Sequence, residues 1–410
     1  MTPAFTLRRL AWTDEELGTI QFPAGMMILR ASFGSGLTKR PDDPPDVVWG
    51  VGDRGPNIKV KTLVERYGAD HFRPYRGRKG AKVMPSPAIG PSIARLRIGE
   101  DRVELLETIR LCDREGVPVS GLPIPGGEQA RREPAFDLDG RELAPDPSGF
   151  DTEGIAATRD GGFWIGDEFG PSLVRVDAAG RVSARFVPAG LDLATSGFET
   201  PAALPAIAAR RHLNRGFEAL ALSDDGRWLF LAFQSPLAHP DVAAHKGARH
   251  VRLWRLDAAT LEVAAQYLYP LDPPELFLRD LEVGPLDSCD IKLSEIAWIG
   301  EDVLLVLERA SLSTRIHRVD LDADRALPAE HLDPATRPSI EEHSPRGVPA
   351  EWELAKRLLF DSDQAREIPA DIEGMVVLSP TELLLVNDND FGVEGAETQF
   401  WKVIFDRPIL

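Results

Sequence analysis

The chain has 410 residues, of which 43% are hydrophobic and 27% charged, and its formal net charge is −18. This composition is typical of a folded protein with a sizeable apolar core. The acidic excess repels nucleic acids and anionic membranes, so we expect neither as a partner, and an anionic small molecule would need a local basic site.

The first predicted elements are strands. The segment Phe5–Trp12 is a candidate strand that would pair with the last strand of the chain if the fold closes on itself. The residues FGSGL at Phe33–Leu37 and VVWGVGDRGPN at Val47–Asn57 then form a weak strand pair that ends in polar residues. Ser92–Leu111 follows as a strand-turn-strand pattern.

Four later segments repeat one pattern. Each opens with a glutamate on a short apolar strand, passes through a polar turn, and ends a second apolar strand in polar residues. The segments are Asp151–Gly170, Gly216–Ser235, Leu293–Ala310 and Asp371–Asp390. Such a pattern predicts a β-hairpin. The earlier copy at Phe33–Asn57 has no opening glutamate, and Ser35 is its nearest polar equivalent.

The remaining segments complete an all-β pattern. Ser172–Val187, Arg249–Tyr269 and Thr398–Asp406 are predicted strands, whereas Pro201–Leu213 and Ala350–Phe360 are the best candidates for short helices. The opening glutamates lie 65, 77 and 78 residues apart, more than the about 40–50 residues of a minimal propeller blade. We therefore predict one domain over residues 1–410, an all-β β-propeller of six blades with inserted loops, with five or seven blades as alternatives.

The repeats place acidic residues together. In an antiparallel hairpin, the residue that opens the first strand lies beside the one that closes the second. The opening glutamates would thus form a ring at one mouth of the channel, as metal ligands or catalytic acids and bases: Glu153, Glu218, Glu295 and Glu373. The metal ligands expected around them are Asp53, Asp167, Glu168, Glu308, Asn387, Asp388 and Asp390. Three cationic residues would bind the anionic substrate or pair with the carboxylates: Arg54, Lys292 and Arg309.

Converging carboxylates repel one another and resist burial, so the ring requires a compensating charge. Ca²⁺ is suited to this role because it takes six to eight oxygen ligands. A metal beside cationic side chains would suit hydrolysis of a small phosphoester or carboxylic ester. Two alternatives remain open: a non-catalytic binding or scaffold propeller with structural glutamates, and a lactonase-type propeller with one axial Ca²⁺, mixed Asn, Asp and Glu ligands and a more apolar pocket.

Other motifs are weak or absent. The sequence has no GxSxG elbow, Walker A or Rossmann motif. His239, His245 and His250 fall in one loop and are predicted to be solvent-exposed. Two cysteines, Cys112 and Cys289, make no disulfide framework.

The sequence also predicts the cellular compartment of the protein. Neither a signal peptide nor an apolar run of membrane-spanning length is apparent. The expected location is therefore the cytoplasm, or the periplasm or exterior if a leader has been removed.

The repeat motifs also resemble a known family. DTEGIA at Asp151–Ala156, NRGFEALALSDDGRWLF at Asn214–Phe230, DIEGMVV at Asp371–Val377 and DRGPN at Asp53–Asn57 are similar to the phytase-like family, named for the "esterase-like activity of phytase". The similarity runs from about Phe33 to about Phe405. It implies a hydrolase-like β-propeller, and the family name suggests activity on phosphate or carboxylic esters.

Overall fold

The fold is described from a computed structural model, which covers residues 3–125, 133–193 and 197–409. The first ten strands are β1 (Phe5–Leu10), β2 (Glu16–Phe22), β3 (Gly25–Arg30), β4 (Gly36–Thr38), β5 (Val47–Val51), β6 (Ile58–Lys59), β7 (Lys82–Val83), β8 (Ser92–Ile98), β9 (Val103–Arg110) and β10 (Ala135–Phe136). The middle strands are β11 (Thr152–Ala157), β12 (Phe163–Asp167), β13 (Ser172–Val176), β14 (Val182–Pro188), β15 (Ala202–Leu204), β16 (Phe217–Leu222), β17 (Trp228–Phe233), β18 (His250–Asp257) and β19 (Val263–Pro270). The last strands are β20 (Lys292–Gly300), β21 (Val303–Arg309), β22 (Thr314–Asp320), β23 (Lys356–Asp361), β24 (Ile372–Ser379), β25 (Glu382–Asn387) and β26 (Phe400–Phe405).

Helices are short and lie between strands. The α-helices are α1 (Val60–Tyr67), α2 (Val242–Gly247), α3 (Leu278–Val283) and α4 (Ile340–His343). The 3₁₀ turns are Asp70–Tyr75, Ala206–Arg210, Pro274–Leu276, Ser288–Asp290, Ala323–Arg325, Ala329–Leu332, Ser344–Arg346, Ser362–Gln364 and Asp390–Gly392. Within the described ranges, no helix has the length and apolar character needed to cross a membrane.

Five sheets of four or five strands make up most of the described chain. Their strand orders are β4-β5-β8-β9, β11-β12-β13-β14-β15, β16-β17-β18-β19, β20-β21-β22-β23 and β24-β25-β26-β1. The first strand of each sheet contacts the first strand of the next sheet, in the cyclic order β4, β11, β16, β20, β24 and back to β4. The fold is therefore all-β and propeller-like, with the antiparallel sheets arranged around a common axis. The described chain holds five such sheets, whereas the sequence predicts six blades, with five or seven as alternatives.

The N-terminal strand belongs to the last sheet. β1 pairs antiparallel with β26, and Phe5 lies opposite Phe405. The predicted pairing of the first strand with the last is thus present, and it joins the two ends of the chain in one sheet.

The inner strands approach one another closely. A Cβ atom on Gly154 would lie 2.5 Å from the Glu218 carbonyl oxygen, and one on Gly36 would lie 2.7 Å from the Glu153 carbonyl oxygen. A larger residue does not fit at these two positions. The glycine after Glu153 in the DTEG motif is therefore required by packing at the axis.

The opening glutamates lie at irregularities in the strand pairing. The register between the first and second strands shifts between Thr152 and Ile155, and again between Phe217 and Ala219. A comparable shift occurs between Ile372 and Gly374. Because a bulge re-aims the side chains around it, these shifts let the glutamates turn toward the axis while the strands remain paired.

A smaller layer is built from segments before, within and after the first sheet. The β2-β3 hairpin, α1 and the small sheet β6-β7-β10 pack around their own apolar cluster, which includes Met27, Leu63, Phe72 and Phe136. This layer positions Asn57, Lys59 and Lys82 at one end of the axis, and their role there is described below.

Three local predictions were wrong. Ala350–Phe360 contains most of β23 rather than a helix, because the buried Leu359 and Phe360 join an apolar cluster beside β22. Pro201–Leu213 forms β15 and a 3₁₀ turn. The predicted exposed histidines His239, His245 and His250 are buried at 4%, 3% and 4% exposure.

Candidate functional site

A cavity of about 460 Å³ lies at the axial end where the glutamates begin their strands. Its acidic lining residues are Asp53, Glu153, Glu218, Asp371, Glu373, Asp388, Asp390 and Glu394. Its basic lining residues are Arg54, Lys59, Lys82, Arg215, Lys292 and Arg309. The cavity therefore combines carboxylates and cations from several sheets, together with residues of the inserted layer.

Three glutamates from three sheets converge in this cavity. Glu153 on β11, Glu218 on β16 and Glu373 on β24 each offer a carboxylate oxygen, and these oxygens lie within 4.8 Å of one another. Burial and the neighbouring Glu218 raise the pKa of Glu153 well above its ordinary value. Burial likewise raises the pKa of Glu218 to about 7 and that of Glu373 to about 8. The group holds more negative charge than its surroundings compensate.

The hydrogen bonds of these glutamates are incomplete. Arg309 donates to Glu373, and also to Ser294 at 2.8 Å and Asp371 at 3.0 Å. Ser294 donates to Glu218 Oε1 at 3.3 Å. Within the described residues, Glu218 Oε2 and Gln234 Oε1 are buried and have no hydrogen-bond partner. Buried acceptors without a donor are uncommon in folded proteins and need an explanation.

A second carboxylate group lies beside the first. Oxygens of Asp53, Asp388 and Asp390 fall within 4.8 Å of one another, and Asp53 also forms such a group with Asp151 and Glu153. Ser32 donates to Asp388 at 2.6 Å. Burial and the Asp390 carboxylate raise the pKa of Asp388 well above its usual range. Asp53 thus connects the two groups of carboxylates.

The surroundings of Lys292 lower the pKa of its ammonium. Burial, together with Arg309 and Arg215, lowers its pKa to about 7. No hydrogen bond or ion pair to its ammonium occurs among the residues that the structure describes. Lys292 can therefore gain or lose a proton near neutral pH and face an anionic group in the cavity.

Arg54, like Arg309, is paired within the chain. It is 3% exposed, and its guanidinium donates to Asp151 at 2.7 Å, Glu133 at 2.6 Å and Asn214 at 2.7 Å. These acceptors occupy all three guanidinium nitrogens. The structure therefore places the predicted substrate-binding Arg54 in the cavity wall, where it holds other residues in position.

Glu295 does not join the other opening glutamates. Its side chain is fully buried and accepts hydrogen bonds from the backbone N–H groups of Leu37 at 2.9 Å and Ile296 at 3.1 Å. It does not line the cavity. Glu295 thus caps backbone N–H groups, which is the structural role that the scaffold-propeller alternative gives to the glutamates.

Asp167 and Glu168 also lie away from the axial cavity. Asp167 is fully buried and accepts from Arg185 at 2.5 Å and from the Asp151 backbone N–H at 2.8 Å. Glu168 accepts from the Gly216 backbone N–H at 3.2 Å and lines a separate small cavity beside Arg211. Asp167 is not brought to the glutamate group, whereas the Glu168 charge helps to raise the pKa of Glu218 from the neighbouring cavity.

The side chains of Glu308 and Asn387 are occupied by hydrogen bonds to other residues. Glu308 accepts from Tyr269 at 2.7 Å and from Lys356 at 2.8 Å. The Asn387 side chain donates to the carbonyls of Asp388 and Glu397, and it accepts from the Gln399 backbone N–H. These contacts leave neither residue available to the axial cavity.

The pairing register explains this separation. Asp167 lies opposite Thr152, and Asn387 lies opposite Ile372, one residue before the opening glutamate in each case. Successive side chains of a strand point to opposite faces, so a one-residue offset places the closing residue on the other face. The strands are adjacent, as predicted, but their polar ends face different surroundings.

Sequence reasoning missed several cavity residues. Lys59 follows the DRGPN motif by two residues, and Asp371 opens the DIEG motif, so both had a local signal. Lys82 and Arg215 had none, because only the folded chain brings them to the axis.

Fold and site together define a propeller-like all-β protein with a carboxylate-rich axial cavity. A family model described as "Phytase-like: Esterase-like activity of phytase" matches residues 34–391. The chain therefore belongs to the phytase-like family, as the sequence motifs predicted.

More distant similarities were also found. The chain is 25% identical over 303 residues to an "Uncharacterized secreted protein" of Arthroderma benhamiae, a match that covers 66% of this chain and 55% of the fungal one. The chain thus spans about half the length of that curated relative.

Among solved structures, the PQQ-bound aldose sugar dehydrogenase of Streptomyces coelicolor aligns with 98% of this chain and 99% of its own, at 10% identity and a TM-score of 0.34. Virginiamycin B lyase of Staphylococcus aureus aligns with 98% of this chain and 100% of its own, at 12% identity and a TM-score of 0.31. Similarities this distant add nothing to the sheet topology described above.

Proposed function

We propose that this protein is a metal-assisted hydrolase that cleaves a small phosphate or carboxylic ester in the axial cavity of a five-bladed propeller, with Ca²⁺ as the metal. The observation that supports this most is the convergence of Glu153, Glu218 and Glu373 within 4.8 Å. Two buried carboxylates and one partly buried carboxylate at this separation are unfavourable unless a cation or protons accompany them.

The donor set fits a hard cation. Every candidate ligand is an oxygen, as Ca²⁺ prefers. The unpaired Glu218 Oε2 and Gln234 Oε1 atoms are buried acceptors beside the glutamates. Glu153, Glu218 and Glu373 would hold the cation, and Asp53, Asp388 and Asp390 form a second position for one. When bound, the cation would polarise the ester and lower the pKa of a coordinated water.

The cationic side of the cavity would bind the substrate. Lys59, Lys82, Arg215 and Lys292 line it in addition to the paired arginines. Several cations in one cavity favour a phosphate over a neutral carboxylic ester, because a phosphate carries more charge. Lys292, whose pKa burial lowers to about 7, would contribute its charge to substrate binding in its protonated form.

The test is a comparison of variants. Chelator-treated and calcium-loaded protein would be assayed with p-nitrophenyl phosphate and p-nitrophenyl acetate. We expect Glu153→Gln and Glu218→Gln each to lower kcat/KM by about 100-fold or more. The control Glu104→Gln, an exposed residue on β9, should retain full activity. Unchanged hydrolysis by the Glu153→Gln/Glu218→Gln double variant would refute the assignment.

One observation favours a non-catalytic binding propeller as the second candidate. Arg54 and Arg309 are already paired with carboxylates of the same chain, as a scaffold would require. This candidate predicts cation or anion binding without turnover of either ester. A lactonase-type site fits less well, because Val393 and Ala396 are the apolar residues among the described lining of an otherwise polar cavity.

The compartment stays a prediction. The chain as written predicts the cytoplasm, whereas the fungal relative is described as secreted. The proposed partner is a small anionic ester, with no nucleic acid and no membrane.

A further inference from the structure

The axis has a second cavity at its other end. It occupies about 590 Å³ and is lined by the far ends of β16, β20 and β24 and by the loop after β4. Leu222 follows Glu218 by four residues on β16, or roughly 13 Å of extended strand. The buried Glu295 is bonded to the backbones of Leu37 and Ile296, which line this second cavity. The far cavity is therefore distinct from the carboxylate site.

The far cavity is less polar than the carboxylate site, and Thr38, Arg40, Asp43 and Asp224 line it beside its apolar residues. Its buried lining includes Leu37, Leu220, Ile296 and Met375. A further set of apolar side chains around it is only partly buried: Leu222, Ala297, Trp298, Ile299 and Val377. Apolar side chains clustered around a concave surface mark a ligand site more often than scattered exposed ones do. The volume also lies within the roughly 300–1,000 Å³ range of small-molecule sites.

Lys39 is the cation of this cavity that lacks a partner within the described chain. The neighbouring Arg40 donates to the carbonyls of Thr158 at 3.0 Å and Gly161 at 2.8 Å. Asp43 accepts from the Trp49 indole at 2.7 Å. Lys39 is half-buried, and within the described chain its ammonium has no hydrogen bond and no ion pair.

Two further charges bear on Lys39. Burial lowers its pKa, and Asp46 partly offsets this effect. Asp224 lies at the edge of the cavity, where it is exposed to water. Lys39 therefore remains the charge that an acidic ligand group would complement.

We propose that the far cavity binds a small amphipathic carboxylate, of the class of medium-chain fatty acids. The alkyl chain lies against Leu222, Trp298 and Ile299, and the carboxylate pairs with Lys39. Apolar walls with a single uncommitted ammonium are complementary to a ligand with an apolar body and one negative group. This site is independent of the proposed ester hydrolysis.

The experiment measures binding of decanoate and decanol to the whole chain by isothermal titration calorimetry. We expect saturable binding of decanoate with one site. Lys39→Met keeps the apolar stem and removes the charge, so it should weaken decanoate binding about tenfold and change decanol binding by less than about twofold. Leu222→Trp fills the cavity and should abolish binding of both probes. Lys61→Met, which replaces an exposed lysine of α1, is the matched control and should change neither.

Thermal unfolding of each variant shows whether it is folded, so a lost signal is attributed to the cavity only in a folded protein. Absence of saturable decanoate binding to the wild-type chain would overturn the proposal. Binding that Leu222→Trp leaves intact would do the same. So would concentration-dependent dimerisation that Leu222→Trp abolishes, because the far mouth would then be covered by a second copy.

Discussion

The buried carboxylates of the sheets and those of the axis lie in opposite environments. Asp167 meets the Arg185 guanidinium, and Glu308 meets Lys356 and the Tyr269 hydroxyl. In contrast, Glu218 is 1% exposed and keeps one carboxylate oxygen without a partner in the described chain. Burying a charge is costly unless it is paired, so these sheet carboxylates are complete as they stand, whereas Glu218 requires a partner that the described chain does not supply.

The largest expected effect is on the free energy of unfolding and comes from a buried ion pair within a sheet. Arg185→Met leaves the buried Asp167 carboxylate without its cation, and we expect a loss of about 3–5 kcal/mol in the free energy of unfolding. Urea denaturation measures this loss. The control is Arg97→Met, whose side chain is 50% exposed and whose ion pairs lie at the surface. A loss below about 1 kcal/mol for Arg185→Met would show that the sheet pairs are not the compensated charges described here.

The second prediction concerns pH and the metal-free protein. The pKa of Glu218 is about 7 in the folded chain, against about 4.5 when unfolded, because burial disfavours its charge. The stability that this carboxyl contributes is present below the unfolded pKa and is lost as pH rises through the folded one.

Glu218→Gln removes this loss. In chelator at pH 8, we expect the variant to be more stable than wild type by on the order of 1–3 kcal/mol, and the difference to vanish near pH 4.5. Urea denaturation between pH 4.5 and 8 measures both. A wild-type stability that changes with pH in parallel with that of the variant would mean that Glu218 is compensated after all.

The third prediction separates two glutamates that share one repeat position. Glu218→Gln should weaken calcium binding at least about tenfold, whereas Glu295→Gln should change it by less than about twofold, because Glu295 bonds backbone N–H groups outside the cavity. Calorimetric titration of calcium into chelator-treated protein measures both. Equal losses in the two variants would contradict the placement of Glu295.

The smallest expected effect is on the cationic side of the cavity. Lys292→Met should raise the KM for p-nitrophenyl phosphate about fivefold and leave the KM for p-nitrophenyl acetate nearly unchanged. The reason is that only the anionic phosphate ester can form an ion pair with the lysine. Steady-state kinetics on both esters provide the readout. Lys246→Met, on α2 and outside the axial lining, serves as the control.

The hairpins and their opening glutamates were predictable because alternation and turn residues are local signals. The site was only partly predictable, because which polar residues meet depends on register. The sequence shows that Asp167 and Asn387 end strands beside those of Glu153 and Glu373, but a one-residue offset decides the face on which each lies.

Long-range packing accounts for the other differences. The segment Ala350–Phe360 has good helix formers, yet tertiary pairing with β22 makes most of it a strand. Lys82 on β7 and Arg215 in the loop before β16 reach the axial cavity from distant parts of the chain, and no local pattern marks them. A glycine follows Glu153 and Glu373 in the sequence, and at Gly154 it permits the close approach of two inner strands.

The measurement that tests the account most directly is the calcium content of the purified protein by mass spectrometry, before and after chelation, with phosphate-ester hydrolysis assayed on the same samples. The account predicts stoichiometric calcium, loss of both calcium and turnover on chelation, and recovery of both on adding calcium back. Turnover that persists in calcium-free protein, or the absence of both calcium and turnover, would contradict it.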